Sequence, residues 1–367
     1  DATNYVILTT EELFGAAEAF AAYRQGQGYR TAIYQYSDLA GSSTSAKVAT
    51  MRAEVAALRA ALPQGYPLFV LLLGEARDGS LPSTSCDNML GGCRTDSDYV
   101  DIDQDGLPDA AIGRVPARNE TEALAYLDKV QTHESTYTVG VHNRRIGVYT
   151  GRANFSPAVD AMLEGAVMEA LKRVSHLFDI TGLYNNATSD YYYTPFDDKV
   201  ADLFNEGAFM MLYIGHGTTG WTEGLEPDQL DDIHCSLRLP LMFFFACYNG
   251  NYTDAEPSLA EQLIFKADGT ITAVGSSDVS HPYGNAILAY ETQRVFLDER
   301  LPTVGEGFLA TRRAMVERTD EFRDMIDGVS TVEVPKAEQA QVRREHVNLY
   351  NLFGDPACQV RYPQGLA

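Results

Sequence analysis

Two residue types that combine in nucleophilic catalysis stand at the ends of two short apolar runs. The run from Ala208 leads to His216, which lies between two glycines, and the run from Leu239 leads to Cys247. A thiolate attacks a carbonyl carbon and a neighbouring imidazole carries the proton, so this pair would support acyl transfer. Gly217 leaves space for a main-chain N–H that binds an oxyanion, and the N–H of Cys247 is the expected second donor.

Strands of a parallel α/β sheet would bring these two residues together. Both runs are short enough to be fully buried strands, and His216 and Cys247 are 31 residues apart, about one strand-helix-strand crossover. Sites in open parallel sheets form at the carboxyl ends of neighbouring strands. Taken singly, His216 is more typical of a structural histidine and Cys247 of a small core residue. Their shared context favours a catalytic pair.

Apolar strands alternate with amphipathic helices along the chain, which predicts an α/β fold of mostly parallel sheet covered by helices on both faces. The 367 residues allow two adjacent α/β subdomains. We expect the first over residues 1–138, with an acidic calcium-type loop, and the second over residues 139–367, with the His/Cys pair. Further expectations are helices over residues 157–174 and 305–327 and a last strand after the Gly-Asp-Pro turn at residues 354–356.

The charge, the apolar runs and the first residue of the chain indicate which binding partners and which cellular compartment to expect. Lys and Arg number 28 against 51 Asp and Glu, and the net charge of -23 disfavours nucleic acid and anionic lipid as partners. No apolar run approaches the roughly 20 residues of a membrane-spanning helix, so no transmembrane segment is predicted. The chain begins with Asp1 rather than Met, which favours a longer exported precursor and a secreted or cell-surface protein.

The cysteine pattern leaves open whether Cys86 and Cys93 form a disulfide. The chain has five cysteines, an odd number, so at least one thiol is unpaired if the protein is exported. Cys86 and Cys93 flank a short loop, and the sequence is compatible with either a local disulfide or two free thiols.

An acidic loop with the sequence DIDQDGLPD follows the spacing of an EF-hand calcium loop. The predicted ligands are the side chains or, for the leucine, the carbonyl of Asp101, Asp103, Asp105, Leu107 and Asp109. Ile112 stands where the bidentate Glu of an EF-hand would be. The loop is therefore either a structural calcium site completed by outside ligands or an acidic turn that binds nothing, and mutual repulsion of the carboxylates favours calcium.

Several segments resemble the gingipain-type cysteine peptidases, which belong to the same broad clan as caspases and legumain. They are YIGHGTTGW (Tyr213–Trp221), FFFACYNGNY (Phe243–Tyr252), SLAEQLI (Ser258–Ile264), AVGSS (Ala273–Ser277) and NLFGDPA (Asn351–Ala357). The resemblance covers essentially the whole chain in the family's order. It implies a caspase-like fold, with His216 as the catalytic histidine, Cys247 as the nucleophile, Gly217 as the oxyanion glycine and Trp221 as an aromatic neighbour of the site.

The resemblance also identifies candidates for substrate binding. Gingipains owe their preference for basic residues to an Asp, and Asp160 is the nearest match here, although an exposed carboxylate at the start of a helix is the plain alternative. His281 follows the AVGSS strand and is either a wall of the substrate pocket or an exposed loop histidine. Members of the family can orient the histidine with an acid near residues 149–152, where this chain has none, and Glu223 is one candidate replacement.

The resulting hypothesis is a secreted bacterial cysteine endopeptidase that hydrolyses protein or peptide substrates through an acyl-enzyme, with a preference for basic residues. Structural calcium is expected and no organic cofactor. A transpeptidase, in which an amine replaces water, is a close alternative. A second alternative is a catalytically silent, calcium-stabilised domain of a surface or adhesive protein.

Overall fold

The computed structural model describes residues 2–136, 138–152, 165 and 167–363. The strands are β1 (Tyr5–Thr9), β2 (Thr31–Gln35), β3 (Phe69–Leu73), β4 (Thr84–Asn88), β5 (Gly91–Thr95), β6 (Ala111–Val115), β7 (Arg145–Thr150), β8 (Asp179–Tyr184), β9 (Met210–Ile214), β10 (Gly217–Thr218), β11 (Trp221–Thr222), β12 (Leu241–Phe245), β13 (Thr272–Ser276) and β14 (Tyr350–Phe353). The α-helices are α1 (Phe14–Gly26), α2 (Thr44–Ala61), α3 (Glu120–Ser135), α4 (Phe196–Asn205), α5 (Leu259–Phe265), α6 (Pro282–Gln293), α7 (Val304–Glu317), α8 (Glu321–Val329) and α9 (Lys336–Leu349).

Strands buried on both faces form the centre of the molecule. In β1 and β3 every residue is buried, as expected for central parallel strands. Side chains alternate across the sheet, so Tyr5 and Ile7 pack with α1 on one face while Val6 and Leu8 pack with α2 on the other. The helices therefore cover both faces of the sheet.

Ten strands form one sheet in the order β2-β1-β3-β6-β14-β13-β12-β9-β7-β8. Neighbours pair in parallel throughout, except that β13 and β14 are antiparallel. Strands from before residue 138 occupy one half and, apart from β14, those from after it occupy the other. The last strand joins the halves, and its pairing with β6 consists of the residue pair Phe353 and Arg114. The division at residue 138 stays a prediction.

Three details differ from the sequence-based expectations. The helix expected over residues 305–327 is divided into α7 and α8, because Asp320 accepts a hydrogen bond from the Arg323 N–H at 2.8 Å and begins a new helix. The last strand precedes the Gly-Asp-Pro turn, since β14 continues directly from α9 and pairs with β13. Between β9 and β12 the chain forms the β10–β11 hairpin and a 3-10 turn over Pro227–Asp232 instead of an α-helix.

Two further observations concern the predicted elements. Most of the helix expected over residues 157–174 lies outside the described residues, and residues 167–171 are helical. Among the helices described, none combines the length and the apolar character that a membrane span would require.

Candidate active site

The two predicted chemical residues follow adjacent strands. Strands β9 and β12 are parallel neighbours, and Ile214 at the end of one is paired with Phe245 at the end of the other. His216 and Cys247 each come two residues after the end of their strand, so both segments leave the sheet at the same edge. His216 is exposed and Cys247 is half-buried, so solvent can reach both residues.

Gly217 lies directly against the chain that carries the cysteine. A Cβ at this position would be 2.8 Å from the Cys247 carbonyl oxygen and 2.5 Å from Oδ1 of Asn249. Asn249 is fully buried, and its Nδ2 donates to the carbonyls of Thr218 at 2.7 Å and Trp221 at 3.0 Å. The glycine is therefore required by close contact, and Asn249 fastens the β10–β11 hairpin to the loop that follows Cys247.

The thiol of Cys247 has a main-chain donor beside it. The N–H of Ser280 donates to the sulfur at 3.3 Å, and the carbonyl and hydroxyl oxygens of the same serine lie 3.6 and 3.7 Å away. Three atoms of Ser280 thus hold the sulfur against the loop that follows β13. The next residue, Tyr248, has a φ of 61° and donates its N–H to the Asp278 carbonyl at 3.1 Å. This left-handed residue marks a sharp bend next to the nucleophile.

The other cysteines are unsuited to nucleophilic chemistry. All five lie in the described part of the chain, where Cys86 and Cys93 face each other across the β4–β5 hairpin and form a disulfide. Burial raises the pKa of the Cys235 thiol to about 12 and holds the pKa of Cys358 well above its usual value. Cys247 is thus the free thiol that solvent can reach.

His281 and Trp221 border the same edge of the sheet. His281 follows Ser280, and its Nδ1 accepts the Tyr283 N–H at 3.1 Å as the first turn of α6 begins. Burial lowers the pKa of its imidazole. Trp221 belongs to the hairpin beside Gly217, and its indole N–H donates to Glu226 at 3.0 Å. Substrate contact by either residue stays a prediction, and Asp160 lies outside the described residues.

Glu223 places a buried carboxylate at the end of β7, where the sequence itself has none. Both carboxylate oxygens accept the Arg152 N–H at 3.1 Å, and one accepts Nδ2 of Asn185 at 2.7 Å. A Cβ on Gly151 would lie 3.0 Å from the carboxylate carbon. The carboxylate of Glu223 thus lies beside residues 151 and 152, and its part in orienting His216 stays a prediction.

The acidic loop brings some, but not all, of its predicted ligands together. Carboxylate oxygens of Asp101, Asp103 and Asp109 lie within 4.8 Å of one another. Asp101 is buried, and its Oδ1 has no hydrogen-bond partner among the described residues. Burial raises the pKa of Asp101, and the neighbouring aspartates add to this effect.

The remaining predicted ligands have other contacts. Asp105 is not part of the three-carboxylate group, and its Oδ1 accepts the Leu107 N–H at 2.8 Å. Oδ1 of Asp109 is 3.2 Å from Arg313, which already supplies one positive charge. The calcium ligand set therefore stays a prediction, with Asp101 as its best-supported member.

Three residues at the site, Asn249, Ser280 and Tyr213, were not identified from the sequence. Each of them acts through hydrogen bonds. Asn249 follows the cysteine in an Asn-Gly turn signal, which indicates a bend but not its partners. Ser280 contacts the sulfur of Cys247, and the hydroxyl of Tyr213 contacts the main chain of His216. Such contacts depend on three-dimensional placement, and the residue types alone gave no signal for them.

Comparison with known proteins assigns the chain to a family. The profile of peptidase family C25 matches residues 1–361. Gingipain R2 of Porphyromonas gingivalis is 21% identical over 97% of this chain, which spans 46% of that protein. Gingipain R1 of the same organism is 21% identical over 97% of this chain, which spans 34% of it. The chain therefore spans less than half the length of these relatives.

Solved structures show the same fold. The Arg specific cysteine proteinase gingipain R superimposes with a TM-score of 0.70 over 98% of this chain and 78% of that chain, at 17% identity. A structure described as a protease gives a TM-score of 0.77 over 98% and 79%, at 15% identity. The predicted α/β fold, mostly parallel and covered by helices, is confirmed. On the profile match, this chain belongs to peptidase family C25, and the resemblance to gingipain-type cysteine peptidases predicted from the sequence is confirmed.

Proposed function

We propose that Cys247 and His216 form the catalytic dyad of a cysteine endopeptidase. The observation that carries this proposal is the pairing of β9 with β12, which leads both residues to one edge of the sheet. The accessible thiol of Cys247, with the Ser280 N–H 3.3 Å from its sulfur, supports the assignment of the nucleophile. Cys235 and Cys358 are buried and cannot replace it.

In the proposed reaction, the Cys247 thiolate attacks the carbonyl carbon of the scissile bond, and the carbonyl electron pair moves to oxygen. Main-chain N–H groups of Gly217 and Cys247 bind this oxyanion. His216, protonated by the thiol, gives its proton to the leaving amine as the C–N bond breaks and a thioester forms. Water then attacks the thioester, His216 takes its proton, and the acid product leaves with the thiolate restored.

We propose Arg or Lys before the cleaved bond as the preferred substrate. The gingipain R structure is described as that of an Arg specific proteinase, and Asp160 is the matching acid by resemblance. Trp221 and His281 would contact the substrate at the same edge of the sheet. The relatives come from the bacterium Porphyromonas gingivalis, which supports a bacterial protein, and secretion or surface attachment is proposed from the resemblance to gingipains.

The dyad is tested by three variants assayed on a diverse peptide library. Cys247→Ala and His216→Ala should abolish cleavage and labelling by a thiol-directed inhibitor, whereas Cys235→Ala, a buried thiol, should keep both. Cleavage that persists in Cys247→Ala would contradict the proposal. Mass analysis of products formed with an added amine separates hydrolysis from transpeptidation, and an uncut library would favour the catalytically silent domain.

We also propose that the acidic loop binds calcium, because the buried Oδ1 of Asp101 has no hydrogen-bond partner among the described residues and carboxylate oxygens of Asp101, Asp103 and Asp109 lie within 4.8 Å of one another. Asp101, Asp103 and Asp109 would hold the ion through oxygen, the donor that calcium prefers. Bound calcium would neutralise these carboxylates and stabilise the loop that leads into β6.

Calcium should raise the free energy of unfolding by about 2.7 kcal/mol when its concentration is 100 times Kd. A melting-temperature titration with calcium measures this effect. Asp101→Asn should remove most of the shift, while Asp128→Asn, an exposed aspartate on α3, should retain it. An unchanged melting temperature in the unsubstituted protein would show that the acidic loop does not bind calcium.

A further inference from the structure

The hydroxyl of Tyr213 lies beneath the turn that carries His216. Tyr213 is on β9, three residues before His216, and its side chain is fully buried. Its Oη donates to the carbonyl oxygen of His216 at 2.6 Å. The hydrogen bond therefore ties the main chain of the proposed catalytic histidine to a strand that is paired on both sides, with β12 and with β7.

Two glycines make room for this hydroxyl. A Cβ at Gly215 would lie 2.6 Å from Oη of Tyr213, and a Cβ at Gly151 would lie 2.8 Å from the same atom. Gly215 also has a φ of 157°, which side chains rarely adopt. The first glycine of the Gly-His-Gly segment is thus needed because the tyrosine hydroxyl occupies the inside of the turn.

Glu223 makes a second hydrogen bond to the same hydroxyl. Its N–H donates to Oη of Tyr213 at 3.2 Å. Its buried carboxylate binds the Arg152 N–H at 3.1 Å and Nδ2 of Asn185 at 2.7 Å, which joins the segments after β7, β8 and β11. The hydroxyl accepts from one main-chain group and donates to another. Burial holds the pKa of Tyr213 well above its usual value, so the hydroxyl keeps its proton.

We propose that Tyr213 is a positioning residue for His216: its hydroxyl, held by the Glu223 N–H, fixes the main chain of the turn and so the direction from which the imidazole approaches Cys247. The inference rests on the proposed dyad and adds to it the device that orients the histidine. Glu223 contributes through the hydroxyl and through the ends of the neighbouring strands.

Tyr149 is a matched control within the same core. It is paired with Tyr213 in the β7–β9 register, and the ring centroids are 4.8 Å apart. Both side chains are fully buried. The Tyr149 hydroxyl makes no hydrogen bond to residues 214–217 in the described part of the chain, so removing it deletes the same atom without releasing the His216 turn.

The experiment compares Tyr213→Phe with Tyr149→Phe. Tyr213→Phe should lower kcat roughly 10-fold to 100-fold with KM nearly unchanged, because misplacement of a catalytic group affects the chemical step more than binding. It should also shift the pH profile of kcat/KM and of Cys247 alkylation by iodoacetamide. Tyr149→Phe should keep the kcat and both pH profiles of the unsubstituted protein.

Equal kcat values and pH profiles in the two variants would overturn the inference. Loss of cleavage in His216→Ala and Cys247→Ala, measured alongside, keeps that result separate from failure of the dyad itself. If Tyr213→Phe does not fold, Gly151→Ala is the second variant, because its methyl group would displace the hydroxyl while the ring remains. A folded Gly151→Ala protein with unchanged kcat and pH profiles would also overturn the inference.

Discussion

At the scale of single residues, the site depends on contacts too close to admit a side chain. Gly217 was expected to expose an N–H to the oxyanion, and the structure gives a second, steric reason for the glycine. A methyl group there would lie 2.8 Å from the Cys247 carbonyl and 2.5 Å from Oδ1 of Asn249. The turn and the nucleophile loop would have to separate, which alters the placement of both proposed catalytic residues.

Gly217→Ala should therefore lower kcat/KM by roughly 10-fold to 100-fold, the range expected from misplacing a catalytic group by about 1 Å. Gly220→Ala is the matched control, because it lies in the same hairpin and the nearest atoms to its added Cβ are 3.9 Å away. Steady-state kinetics on one peptide reporter compares the two. A Gly217→Ala enzyme as active as Gly220→Ala would show that the turn adjusts without cost.

At the scale of elements, α9 is attached to the active-site loop through a buried histidine. Nε2 of His346 accepts the His281 N–H at 3.0 Å, while its Nδ1 lies 2.9 Å from the Val342 carbonyl and donates to it. A Cβ at Gly284 would be 2.4 Å from the imidazole, so the ring packs directly on α6. Burial lowers the pKa of His346 to about 4.

The lowered pKa of His346 predicts loss of stability in mild acid. The unfolded chain binds a proton at this residue below its ordinary pKa of 6.5, whereas the folded protein does not until about pH 4. The free energy of unfolding should consequently fall by about 3 kcal/mol from this group as the pH decreases through that interval. His346→Gln should reduce the pH dependence, and His176→Gln, an exposed histidine, should leave it unchanged.

Urea unfolding at several pH values between 4 and 7 measures this dependence. Because other groups also titrate in this interval, the quantity to compare is the difference between each variant and the unsubstituted protein. Parallel curves for His346→Gln and the unsubstituted protein would mean that the buried imidazole contributes nothing to acid sensitivity.

The strands of the sheet show which parts of the fold can be predicted from the sequence. Strands such as β3 and β12 were predictable because continuous apolar runs have few other ways to bury both faces. The position of β14 was not, because its pairing partners β13 and β6 are distant in sequence. The orienting group of His216 was missed for a related reason. In the sequence, Tyr213 cannot be distinguished from an ordinary core residue. Its proposed function depends on Gly151 and Gly215, which lie in different segments.

At the scale of the whole molecule, the Gly-Asp-Pro turn joins the end of the chain to its beginning. Asp355 accepts Nη2 of Arg24 at 2.7 Å, and Glu134 accepts Nη1 of the same arginine at 2.9 Å. The side chains of Arg24 and Asp355 are both fully buried. These contacts tie α1 and α3 to the turn after β14, which is the strand that connects the two halves of the sheet.

Asp355→Asn should lower the free energy of unfolding by about 1–3 kcal/mol, because the buried Nε and Nη2 of Arg24 lose their charged acceptor while Glu134 still compensates the charge. Glu122→Gln breaks the exposed pair with Arg118 and should cost less than about 1 kcal/mol. Urea unfolding followed by two probes, one in each half of the sheet, measures both changes. If the turn holds the halves together, the two transitions should separate in Asp355→Asn and coincide in Glu122→Gln. A small loss with coincident transitions in both variants would show that the packing of β14 alone is sufficient.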